Sequence, residues 1–186
     1  MMVRDAQREV RSVFLGGFAG QLVSGALWLL SAALGTWGSH RQAILALAVG
    51  GFFIFPLTQI VLRTLRRPAS LTPGNPLNGL AMQVAFTVPL GLPLVGAATL
   101  HHAYWFYPAF MIVVGAHYLP FVFLYGMRQF AVLCALLVGG GLGLGHTVRE
   151  PFSPGGWLTG GVLILFALVG RSVALASEKR ETGTAH

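Results

Sequence analysis

The chain has 186 residues, of which 55% are hydrophobic and 9% charged, with a formal net charge of +7. A soluble domain carries about 25% charged residues, so this composition excludes an ordinary water-soluble globule. In such a globule the basic balance would point to nucleic acid; here the positions of the charges explain it otherwise, and no nucleic-acid partner is expected.

The first eleven residues, MMVRDAQREVR, are polar, with Asp5 and Arg8 at helical i,i+3 spacing. An apolar run of more than about twenty residues follows, longer than the core of a cleavable signal. Charge is then absent from Gln42 to Leu62, Leu77 to Leu100, Ala103 to Met127, Gln129 to Gly145 and Pro151 to Gly170. Uncharged apolar stretches of about 18 residues read as membrane-spanning helices. Six spans are expected, over residues 12–36, 42–63, 77–99, 106–126, 129–148 and 156–177. The expected fold is all-α, a polytopic transmembrane bundle of six helices forming a single domain over 1–186. The tail EKRETGTAH, 178–186, reads as disordered.

An even number of spans places both termini on one side. With that side cytoplasmic, it holds Arg4, Arg8, Arg11, Arg63, Arg66, Arg67, Arg128, Arg171, Lys179 and Arg180, against Arg41 and Arg149 outside. This asymmetry follows the positive-inside rule and predicts a multi-pass protein of the cytoplasmic (inner) membrane, with lipid as its first partner.

No Asp or Glu lies in the core of a span, since Asp5, Glu9, Glu150, Glu178 and Glu181 fall at ends or loops. Carboxylate pairs for acid–base catalysis are therefore missing, as are the buried acids of many proton-coupled carriers. No Ser-His-Asp set, HExxH or Cys/His zinc spacing occurs. Cys134 is the single cysteine and reads as a packing residue. Neither a cofactor nor a metal is expected, and no catalytic residue is assigned.

Neutral polar side chains are the remaining candidates. Span one carries Gln21, span two Gln59, span three and its approach Asn75, Asn78, Gln83 and Thr87, and span four His117, Tyr118 and Tyr125. Asn75, Gly79, Gln83, Thr87 and Gly91 recur every fourth residue and would share one helix face. A polar stripe in a lipid-soluble helix faces protein or water. Pro56, Pro89, Pro93 and Pro120 each lack a backbone donor and are expected to break their helices. Together these residues predict a polar pocket among helices one to four, with Gln21, Gln83 and His117 at its centre. Its cytoplasmic rim would be Arg63, Arg66, Arg67 and Arg128.

Glycine supplies 25 residues, in runs such as GGFAG, GGGLGLG and GGWLTGG. Small residues at four-residue spacing let helix backbones approach in lipid, within the chain or across a homodimer. A faint repeat also pairs span one with span three, GFAGQLV against GLAMQVA, and span two with span four, GFFIFP against GAHYLP.

The segments FPL (55–57), GNPL (74–77) and GAHYLP (115–120), with Tyr125 beyond, carry a resemblance. In this order they resemble the motifs of an uncharacterised bacterial family of small multi-helix integral membrane proteins. The resemblance covers about residues 15–130 and implies no function. It points to Pro56, Asn75, Pro76, His117 and Pro120; Leu57 is followed here by Thr58 where the family pattern has glycine.

Three readings follow. One is a channel- or transporter-like protein for a small neutral or anionic solute. A second is an accessory membrane protein that packs with itself or a partner and transports nothing. A third is a membrane enzyme or haem protein using His117.

Overall fold

The computed structural model describes residues 1–147 and 150–183. Arg149 and residues 184–186 lie outside the described residues. The described elements are helical throughout: α1 (Val3–Val13), a 3₁₀ turn (Leu15–Gly17), α2 (Phe18–Trp37), α3 (His40–Gly51), α4 (Ile54–Thr64), α5 (Asn78–His101), a second 3₁₀ turn (Ala103–Trp105), α6 (Phe106–Tyr118), α7 (Phe121–Tyr125), α8 (Gln129–Thr147) and α9 (Pro154–Gly183).

Five stretches are long and apolar enough to cross a membrane: Leu15–Trp37, Asn78–His101, Ala103–Tyr125, Gln129–Thr147 and Pro154–Arg180. The expected second span is a bent pair. α3 and α4 meet at 60°, and counting the pair as one span gives six. The segment read as a disordered tail is helical as far as Gly183, where it continues α9.

Local signals explain several boundaries. Ser39 caps α3 by accepting from the Gln42 amide, while Gln42 Oε1 accepts from the Ser39 amide. That reciprocal capping box satisfies two donors a helix start leaves open. Gly16 and Gly17, at φ +64° and +87°, break the chain between α1 and α2. Glycine takes this left-handed region at little steric cost.

α2 and α9 form the tightest pair. A Cβ built on Gly25 would stand 3.0 Å from the Gly160 carbonyl oxygen, and one on Gly160 3.0 Å from the Gly25 carbonyl oxygen. Lower on the same pair, the Gly16 carbonyl lies against Gly170. α6 and α8 pack likewise, with Gly141 against the Pro108 carbonyl. Small residues thus permit close backbone contact, the kind of packing that serves helices in lipid. The two pairs join at an aromatic centre, Trp28 with Phe110 at 5.2 Å and Tyr107 at 5.9 Å between ring centroids. Beside it, Ser31 Oγ donates to the Ala43 carbonyl at 2.8 Å and lies 2.7 Å from the Tyr107 hydroxyl. The serine proton being used, Tyr107 donates to Ser31, and one hydroxyl ties α2, α3 and α6 together.

Candidate functional site

The amphipathic helix α1 lies across one end of the bundle, burying Ala6, Val10 and Val13. Its polar face holds three distant segments. Gln7 and Arg11 donate to the Phe123 and Tyr125 carbonyls at the end of α7. Glu9 accepts from the Thr72 amide, from Thr72 Oγ1 at 3.0 Å and from Asn75 Nδ2 at 2.9 Å. Ser12 donates to Glu178 at 2.6 Å, and Arg67 holds the same carboxylate through two bonds of 2.7 and 3.1 Å. The bond from the Thr72 amide keeps the Glu9 carboxyl below its usual range; burial opposes it, and the weaker bonds from Asn75 and the Thr72 hydroxyl add to the lowering. A cavity of about 320 Å³ opens between α1 and the end of α9, lined by Asp5, Arg8, Glu9, Ser12, Ser177 and Glu178 among others.

These bonds place the expected site residues. Asn75 is buried, but in this network: its Oδ1 accepts from the Leu77 amide and its Nδ2 serves Glu9. It precedes α5, which starts at Asn78, so it is not part of that helix's stripe. Asn78 is exposed. Arg67 of the expected rim is tied to Glu178, while Arg63, Arg66 and Arg128 are exposed.

The trio of Gln21, Gln83 and His117 is not brought together. His117 faces α5, with Nδ1 2.7 Å from Thr87 Oγ1. Gly91, one turn further along α5, meets Val113 of α6. This antiparallel register would put residue 121 opposite Gln83 if α6 continued. It stops at Tyr118, and α7 turns away toward α1, leaving Gln83 exposed. Pro120 stands at that break, as the residue before α7. Pro56 stands just past the α3–α4 bend, where position 56 has no N–H to offer the Phe52 carbonyl, while Pro89 and Pro93 interrupt nothing. Pro56 sits in the first turn of α4, where a missing donor is tolerated. Pro89 and Pro93 lie within α5, which is continuous over 24 residues.

Tyr118 and Tyr125 are buried around Phe130, with ring centroids 6.1 and 5.0 Å from it. Gln59 is half-buried on α4. Gln21 is 2% exposed, and neither atom of its amide has a protein partner. Two atoms outside the predicted set share that condition nearby, Thr58 Oγ1 and Gln129 Nε2. Thr58 was visible in the sequence as a polar residue of span two; Gln129 read only as the edge of span five. Among the described residues, no group of three or more His, Cys, Asp or Glu side chains is placed to hold a metal.

The chain matches, over residues 3–171, the model of a family described as a family of unknown function, DUF7010. It belongs to that family. The match takes in every helix from α1 to α8 and more than half of α9. No curated protein and no solved structure matches the chain. For this DUF7010 member the long apolar helices are compatible with an integral membrane protein, and the family brings no reaction with it.

Proposed function

We propose that this is a six-crossing protein of the cytoplasmic membrane, with both termini inside, that binds and passes a small polar solute. The observation that supports the reading most is interruption of its helices. The chain breaks at Leu15–Gly17 before α2, between α3 and α4, and between α6 and α7. Phe130 links two of these breaks, because it touches Gly17 and packs against Tyr118 and Phe121. Discontinuous helices are a recurrent way of forming solute sites in membranes, because backbone polarity is tolerated there only beside protein or water; the α3–α4 bend lies well inside its apolar stretch and the Leu15–Gly17 break at the end of one. The Ser12–Glu178 bond, which joins the first helix to the last at one end, supports an even number of crossings. The charge asymmetry of the sequence supports the inside orientation.

A second reading has its own observation. On α8, Ala135, Gly139 and Gly143 are exposed at four-residue spacing, and a Cβ on either glycine would meet nothing within 4 Å. Such a row suits a homodimer or a partner helix. One preparation tests both. Purified protein in sealed liposomes is assayed for flux of neutral and anionic solutes, and its native mass is measured. Saturable flux of any solute supports the first reading. A stoichiometric dimer or complex with no flux for the whole panel replaces it with the second.

A further inference from the structure

Four polar atoms without a protein partner gather at the foot of α2: Gln21 Nε2 and Oε1, Gln129 Nε2 and Thr58 Oγ1. The glycines of the break show where they lie. A Cβ built on Gly17 would stand 3.8 Å from Gln21 Oε1 and 3.2 Å from the Phe130 ring. One on Gly20 would stand 3.8 Å from Thr58 Oγ1, and one on Gly170, which lies against the Gly16 carbonyl, 3.0 Å from Gln129 Nε2. The Gln21 and Thr58 atoms thus border the first turn of α2, and Gln129 Nε2 borders Gly170, which lies against the Leu15–Gly17 break. A buried donor or acceptor left unmade forfeits its hydration. Native interiors meet that cost with a partner, which can be an ordered polar molecule with two to four hydrogen bonds.

We propose that the break between α1 and α2 is a binding site for a small uncharged hydrogen-bonding molecule, held by Gln21, Gln129 and Thr58. Water is the smallest member of the class, and simple amides are the next. This inference rests on the solute-binding reading above and narrows its ligand. Gln21 supplies a donor and an acceptor, Gln129 a donor, and the Thr58 hydroxyl either role. A ligand oxygen answers the two amide donors, and a ligand N–H or O–H answers Gln21 Oε1. A neutral ligand suits the site better than an ion. The buried polar side chains among the described residues are all uncharged. Arg67 is held by Glu178 and Arg11 by the Tyr125 carbonyl, Arg171 lies over the ring of Phe18 at the start of α2, and Arg128 beside Gln129 is exposed. A charge buried without an opposite partner costs far more than a neutral dipole.

The test uses the full chain in lipid nanodiscs with nitrogen-labelled glutamine. Side-chain amide signals of Gln21 and Gln129 are assigned through Gln21→Leu and Gln129→Leu, with exposed Gln83 as reference. Exchange of both buried amides with water is expected, as is a saturable shift on adding acetamide that chloride does not reproduce. Exchange with water and no acetamide response identifies water as the occupant and supports the site. Amides that show neither water contact nor acetamide response overturn the proposal, and so does a chloride response. Thermal unfolding gives a second readout. In a dry, sealed site Gln21→Leu removes an unmet polar group and raises the melting temperature; in an occupied site it does not, and the stabilisation by acetamide is lost. Thr58→Val, at a half-buried position, provides the same comparison if Gln21→Leu fails to fold. A protein that binds acetamide yet moves no solute refutes transport while leaving this site standing.

Discussion

Gln21 and Gln83 stand in similar heptapeptides, GFAGQLV and GLAMQVA, near the same end of two long apolar helices. They finish in opposite surroundings. Gln21 is enclosed on α2, whose most apolar window is 50% buried, while Gln83 is exposed on α5, where the figure is 11%. α2 packs against α3, α4 and α9, whereas α5 rests chiefly on α6. A local segment sets only which residues share a face of its helix. Whether that face meets protein or lipid depends on partners up to about 150 residues away, and glycines decide how closely those partners approach.

The largest expected effect comes from crowding each helix in turn. Gly25→Leu on α2 would drive a side chain into Ile164 and the Gly160 carbonyl, at a loss of about 3 kcal/mol. Gly79→Leu on α5 meets nothing within 4 Å and should change stability by less than about 0.5 kcal/mol. Unfolding in mixed micelles measures both; equal losses would mean that α5 is as covered as α2. A smaller effect is expected where α5 touches its neighbour. Thr87→Val removes the bond to His117 and should cost about 1 kcal/mol. An unchanged unfolding midpoint would detach that bond from the stability of α5. The smallest effect concerns the loop that leads into α5. Glu9 binds Thr72 and Asn75 there, and its carboxyl is held below the usual value of 4.5. A depressed carboxyl contributes stability that is present above its unfolded pKa and is lost as pH falls through the folded one. Melting temperature should therefore drop between about pH 6 and about pH 3, and drop less in Glu9→Gln. Parallel pH profiles for the two proteins would remove Glu9 from the account.

Length and absence of charge make the long apolar helices legible, and their bounds lie within a few residues of the expected stretches, because a helix able to cross a membrane needs both before anything else. Hydropathy alone hides the break at Gly51–Phe53, because GGFFIFP is apolar on both sides of the bend, and Pro56 is the one local sign of it. That break also resets the helical phase of α4, which is how Thr58, rather than Gln59, comes to have its polar atom buried toward α2. Asn75, which the GNPL motif also marks, owes its place to another kind of contact. Four-residue spacing assigned it to a helix stripe, whereas its carboxamide is taken up by Glu9 and the Leu77 amide, 66 and 2 residues away. No periodicity reports a bond of that sequence separation. Gln129 escaped notice because it follows Arg128 at the edge of a span, where a polar residue needs no explanation; only the approach of Gly170 and Gly16 encloses it.

The network on α1 bears on the order in which the protein is built. Chains leave the ribosome from the amino end, so the first helix emerges long before its anchors, Thr72, Phe123, Tyr125 and Glu178. During synthesis its apolar face has no docking surface of its own, and the headgroup layer can shelter it as it does other amphipathic helices. A helix made before its anchors is in this way fastened only after them, and its locking reports that the loop at Thr72, the end of α7 and Glu178 have reached their places.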